Sequence, residues 1–99
     1  MNIPKDIEKC LRTYLYHIIY FDDTEVSQKI SETKLKEILL EFSREDISVM
    51  LYAFLWVEKN PNADLSTVFP GSPTNGTRIV AYVKEFLIAM RMYTEFEKI

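Results

Sequence analysis

At 99 residues, 47% of them hydrophobic and 27% charged, the chain has the size of one domain and enough apolar matter to bury roughly two-thirds of its unfolded surface. Two glycines and four prolines exclude the linker, collagen-like and disordered classes, and one cysteine, Cys10, excludes an internal disulfide. The net charge of -3 arises in residues 1–50, where seven Lys and Arg face ten Asp and Glu, and that sign removes the usual electrostatic support for nucleic-acid binding.

A lone cysteine suits a reducing compartment. Lys5, Asp6, Glu8, Lys9 and Arg12 interrupt the N-terminal residues, so no secretory signal is expected and a cytoplasmic location is. The longest apolar run, Ile47 to Val57 broken by Ser48, falls well short of the roughly 20 residues needed to span a membrane.

Pro4 suits a first helical position. From there Ile7, Cys10, Leu11, Tyr14, Leu15, Ile18 and Phe21 recur at three- and four-residue steps, which predicts an amphipathic helix to about Phe21. Asp22 and Asp23 break the pattern, and Thr24 to Lys29 adds a helical turn carrying Val26. Ser31 is placed to cap a second helix with Ile30 and Leu35 as its hydrophobic staple, and Leu35, Ile38, Leu39 and Phe42 form its inner stripe. The same signal returns at Ser43, with Asp46 in the capping-box position.

The helix that follows, about 44–59, is apolar nearly all round. Ile47, Met50, Leu51 and Phe54 share one face, and Val49, Tyr52, Ala53 and Trp56 another. Such a helix needs cover on several sides, from its own chain or a second copy, so it is the expected centre of the fold and the reason to expect a homodimer. Asn60 and Pro61 stop it. Residues 60–76 form the one long loop, pinned by a turn at Leu65, Val68 and Phe69. The last helix starts between Pro73 and Arg78, with Ile79, Val83, Phe86, Met90 and Tyr93 inward and Arg78, Lys84, Glu85, Arg91, Glu95 and Lys98 outward. The expected fold is all-α: a compact bundle of about four principal helices forming a single domain over residues 1–99.

Few residues carry chemistry. Cys10 and His17 are about 10 Å apart along one helix, too far for a thiolate–imidazole pair; Cys10 reads as a small core residue and His17 as a boundary residue. Asp22, Asp23 and Glu25 lack the Gly and alternating oxygen ligands of a calcium loop, and GSPTNG matches no phosphate loop. No catalytic residue, metal ligand or cofactor is therefore assigned, and the chain is read as a non-enzyme.

The stretch Thr24 to Leu39, TEVSQKISETKLKEIL, resembles the helix-turn-helix of small bacterial and phage transcription factors. Ile30 and Ser31 stand where such motifs carry the turn and the cap of the recognition helix, and Leu35 and Ile38 where that helix packs inward. The resemblance implies a DNA-binding regulator. Against it, the turn before Ile30 lacks Gly, and residues 22–46 set four basic side chains against eight acidic ones, the wrong sign for phosphate contacts. Duplex DNA is not the expected partner.

Tyr16 and Tyr20 lie one turn apart, with Arg12 a turn earlier and Ile19 beside them, on a face diverging from the Ile7 to Ile18 stripe. Either another helix covers them, or Arg12, Tyr16, Ile19 and Tyr20 form a partner-binding surface of the residue types enriched in interface hot spots. The leading functional reading is a small protein–protein interaction module of the inhibitor, immunity, adaptor or small-subunit type. A helix-turn-helix regulator over 24–39 is the alternative. A helical small-ligand-binding protein, its anionic ligand held by Arg12 or Arg78, is the third.

Overall fold

Apolar spacing and capping residues determine where the helices begin and end. The computed structural model describes residues 3–70 and 76–94, with the side chains of Ile19 and Asp23 outside that description. Among the described residues the elements are α1 (Lys5–Leu15), a 3₁₀ segment (Tyr16–Tyr20), α2 (Asp23–Val26), α3 (Glu32–Leu40), α4 (Arg44–Lys59) and α5 (Gly76–Tyr93), with no β-strand. The architecture is all-α.

Pro4 caps α1 in an extended conformation and is not its first helical residue; its carbonyl accepts the Glu8 N–H at 2.9 Å. Ile7, Leu11 and Leu15 form the buried stripe, and Cys10 is only half-buried. The helix does not continue to Phe21 as the spacing predicts. After Leu15 the chain tightens to 3₁₀ winding, where two adjacent β-branched isoleucines flanked by rings weaken the α-helical preference. Three residues per turn keep Ile18 beneath Leu15, both fully buried, whereas Phe21 leaves the stripe at 40% exposure.

Asp22 and Glu25 close a reciprocal cap on α2: the Asp22 carboxylate accepts the Glu25 N–H at 2.8 Å and the Glu25 carboxylate accepts the Asp22 N–H at 3.2 Å. Ser31 caps α3 by accepting from the Lys34 N–H, and Ser43 caps α4 by accepting from the Asp46 N–H, each at 3.1 Å. Asp46 does not complete a capping box. Its short carboxylate instead accepts the Tyr14 hydroxyl of α1 at 3.0 Å, and Asn60 ends α4 with backbone and side-chain donors both on the Trp56 carbonyl.

α4 packs against both α1 and α5, and α2 and α3 lie on α5. Met50, Ala53, Phe54 and Val57 are the buried face of α4, with Phe54 edge-on to Phe86 at 5.2 Å. Val49 and Tyr52, on the second apolar face, stay 43% and 61% exposed. The loop after α4 is pinned as expected: Leu65, Val68 and Phe69 are buried, and the Val68 N–H bonds the Leu65 carbonyl at 3.1 Å. Residues 71–75 of that loop lie outside the described residues. Leu65 sits so close to Gly76 that a Cβ there would meet its side chain at 3.2 Å, which favours glycine at the start of α5.

Along α5, Ile79, Val83, Phe86, Leu87, Ala89 and Met90 are buried. Tyr93, expected inward, is 38% exposed at the helix end. Arg78 and Glu85, expected outward, are half-buried, Lys84 and Arg91 are exposed, and Glu95 and Lys98 lie outside the described residues. The Cα radius of gyration of 12.8 Å matches the ~13 Å of a compact chain of this length.

Two substitutions should separate cap from core in urea unfolding. Ser43→Ala should cost about 1 kcal/mol through the orphaned Asp46 N–H, and Phe54→Ala about 3–5 kcal/mol through the cavity against Phe86.

Candidate functional site

Two surfaces bring aromatic and charged groups together. On the first, Tyr16 and Tyr20 are 56% and 71% exposed, so no other helix covers them. Their rings meet edge-to-face at 5.9 Å and their hydroxyls approach to 3.3 Å, which raises the Tyr20 pKa through the shared hydrogen bond. Tyr16 also leans on Phe69 of the loop at 6.5 Å. The pair thus has ring neighbours in each other and in the loop.

Arg12 serves the chain's own loop. Its Nε donates to the Val68 carbonyl at 2.7 Å and its Nη2 to the Thr67 carbonyl at 3.2 Å, while Nη2 also meets Glu8 at 3.0 Å. The second Glu8 oxygen accepts the Thr67 hydroxyl at 2.7 Å. Residues 8 and 12, one turn apart on α1, therefore clamp the turn that buries Val68 and Phe69. Of the four residues predicted to bind a partner, the structure brings Tyr16 and Tyr20 together, turns Arg12 inward to the loop, and leaves the Ile19 side chain outside the described residues.

The second surface is concave. A cleft of about 470 Å³ opens between the 3₁₀ segment, α2 and α3, floored by Leu15, Val26, Met50 and Phe54. That volume is within the range of small-molecule sites. Its wall is a run of ring contacts: Tyr82 meets His17 at 5.5 Å and His17 meets Phe21 at 5.7 Å, while Tyr82 stacks at 6.3 Å on the buried Phe86 behind it. Glu25, Glu37 and Glu41 line it together with Lys29 and Lys34. Arg12 and Arg78 do not line it, so neither could hold an anionic ligand there.

Loss of hydration holds the His17 imidazole below its ordinary pKa of 6.5, a shift that Glu41 opposes and Lys34 reinforces. Burial, aided by the Glu41 charge, pushes the Tyr82 hydroxyl up to about 12. Neutral imidazole and neutral phenol thus share the wall at pH 7. Spacing along the chain carries no sign of this cleft, because its residues come from all six helical elements and the turns between them, and Tyr82 reads as an ordinary aromatic inside a helix.

Among the described residues, no three His, Cys, Asp or Glu lie close enough to hold a metal ion, and no helix is long and apolar enough to cross a membrane. The four-residue α2 is too short to act as the first member of a helix-turn-helix pair. No protein family, curated protein or solved structure matches the chain.

The depressed His17 pKa carries a stability signature. The unfolded chain takes up the imidazole proton first, so this contribution is complete above about pH 6.5 and is lost as pH falls through that value toward the folded pKa. Thermal melts between pH 7.5 and 5.5 should show the decline in the native chain, and His17→Gln should flatten it.

Proposed function

We propose that the chain is a small protein–protein interaction module of the inhibitor, immunity, adaptor or small-subunit type. The observation that supports this most directly is the exposed Tyr16–Tyr20 pair, fixed by mutual ring contact and by Phe69. Tyrosines held in one geometry bring large apolar area with a polar tip and lose little entropy on binding. In this reading Arg12 and Glu8 act behind the surface, holding the loop that supports Tyr16. The partner is another protein, the location cytoplasmic and the role non-catalytic; duplex DNA is disfavoured by the acidic balance of residues 22–46.

Self-association is part of the proposal. Val49 and Tyr52 leave the second apolar face of α4 open, and a second copy could cover it. Light scattering at micromolar concentration should return twice the 11.7 kDa chain mass, and Tyr52→Glu should return the monomer. A mass of one chain at all concentrations would remove the homodimer and leave the tyrosine surface standing.

Replacing Tyr16 and Tyr20 together by Ala tests the main reading. Because both are exposed, unfolding free energy should change by no more than about 0.5 kcal/mol at each site. Capture of a specific partner by the immobilised chain should fall at least about tenfold, as for a hot spot worth ~1.4 kcal/mol or more. A folded double variant that captures the same partner undiminished would refute the assignment of this surface.

A further inference from the structure

The cleft beside His17 is separate from the tyrosine pair and has a chemistry of its own. Its floor is aliphatic and aromatic, its wall is the ring series Phe21, His17 and Tyr82, and its rim carries three carboxylates against two ammonium groups. Glu37 and Glu41 form no ion pair with any described residue, so both carboxylates are free to meet a ligand. Glu41 stands where its charge reaches both His17 and Tyr82, and at the imidazole it outweighs the opposing Lys34. The lining thus carries three carboxylates against two ammonium groups, an excess of one negative charge.

We propose that this cleft binds an organic cation, an amine carrying an aromatic or branched apolar group, with the ammonium at Glu41 and Glu37 and the apolar part against Tyr82, Phe21 and the floor. Aromatic faces and carboxylates are complementary to the same charge: the ring quadrupole attracts a cation, and a carboxylate adds a charge-assisted hydrogen bond. An anionic ligand would meet the Glu41 charge. A neutral one would fill the floor but leave the carboxylates without a partner. The volume of about 470 Å³ accommodates one ring and a short chain, not a helix of a partner protein.

His17 gives the site a second property. It is faced by Phe21 beyond the 3₁₀ segment, by Tyr82 of α5, by Lys34 of α3 and by Glu41 at the C-cap of α3, with Glu25, Lys29, Glu37 and Tyr14 on the same cleft. A protonated imidazole would place a positive charge in the wall that receives the cation. Binding and protonation of His17 therefore oppose each other, and by linkage the bound cation lowers the His17 pKa as much as the proton weakens the cation.

The test is a titration of the isotope-labelled full chain, followed by nuclear magnetic resonance, with three probes of one shape: 2-phenylethylammonium, 2-phenylethanol and 3-phenylpropionate. The ammonium should shift amides of residues 25–42 and 82 with a dissociation constant of about 1 mM or lower, about tenfold tighter than the alcohol, and the carboxylate should bind more weakly than either. Glu41→Gln should bring the ammonium to the level of the alcohol at an unchanged thermal midpoint; if that variant unfolds, Glu37→Gln should weaken the ammonium in the same direction. The His17 pKa, read from its ring resonances, should fall when the ammonium is present. Equal affinity for all three probes, tighter binding of the carboxylate, shifts confined to Tyr16 and Tyr20, or no shift with any probe would each overturn the proposal. None of these outcomes bears on partner capture through the tyrosine pair, which the Tyr16 and Tyr20 double variant reads separately.

Discussion

The rest of the molecule is organised about a run of aromatic contacts that starts in the core and ends at the surface. Phe54 of α4 meets Phe86 of α5, Phe86 stacks on Tyr82 one turn earlier, Tyr82 meets His17, and His17 meets Phe21. Each such pair is worth about 0.5–1.5 kcal/mol beyond the area it buries. More important than the sum is the continuity. The inner rings are fully buried and locked in a close-packed interior, so the outer rings inherit a fixed position without hydrogen bonds of their own. The cleft wall is an outgrowth of the core.

A different force holds the long loop. Exposed ion pairs contribute little in water, and the Glu8–Arg12 pair on α1 would be ordinary by that measure at 3.0 Å with both side chains partly exposed. Its weight comes from what else the two groups do. The guanidinium donates to two loop carbonyls and the carboxylate accepts the Thr67 hydroxyl, so a charged pair satisfies backbone groups that would otherwise compete for water. That fixes Val68 and Phe69 in the core, and Phe69 in turn supports Tyr16.

What the sequence made legible follows from the range of each interaction. Ser31 and Ser43 could be read as caps because a cap bonds an amide three residues away, and the stripes Ile7, Leu11, Leu15 and Ile79, Val83, Phe86, Met90 because helical period is local. Spacing carries α1 on to Phe21 because the change of pitch at Tyr16 keeps Leu15 and Ile18 at a three-residue spacing, which α and 3₁₀ helices share. Spacing places Arg12 on the face of Tyr16 and Tyr20 but carries no trace of its bonds to Thr67 and Val68, more than fifty positions along the chain. Tyr16 and Tyr20 were visible as a pair but not as exposed, and the meeting of Glu41, His17 and Tyr82 left no trace in spacing at all.

The state of His17 bears on whether recognition or turnover suits the cleft. A general base needs its second ring nitrogen oriented by a hydrogen-bonded partner, and a nucleophile within reach of the first. Among the described residues His17 contacts ring edges and makes no hydrogen bond, and Cys10 is a half-buried thiol whose pKa burial and Asp6 raise, away from the reactive thiolate. An imidazole kept neutral by desolvation, with aromatic neighbours and no orienting carboxylate bond, is arranged as part of a wall. Its response to falling pH is to gain a proton, at a value that desolvation holds below 6.5, and that proton would add a positive charge to the cleft wall beside Glu41.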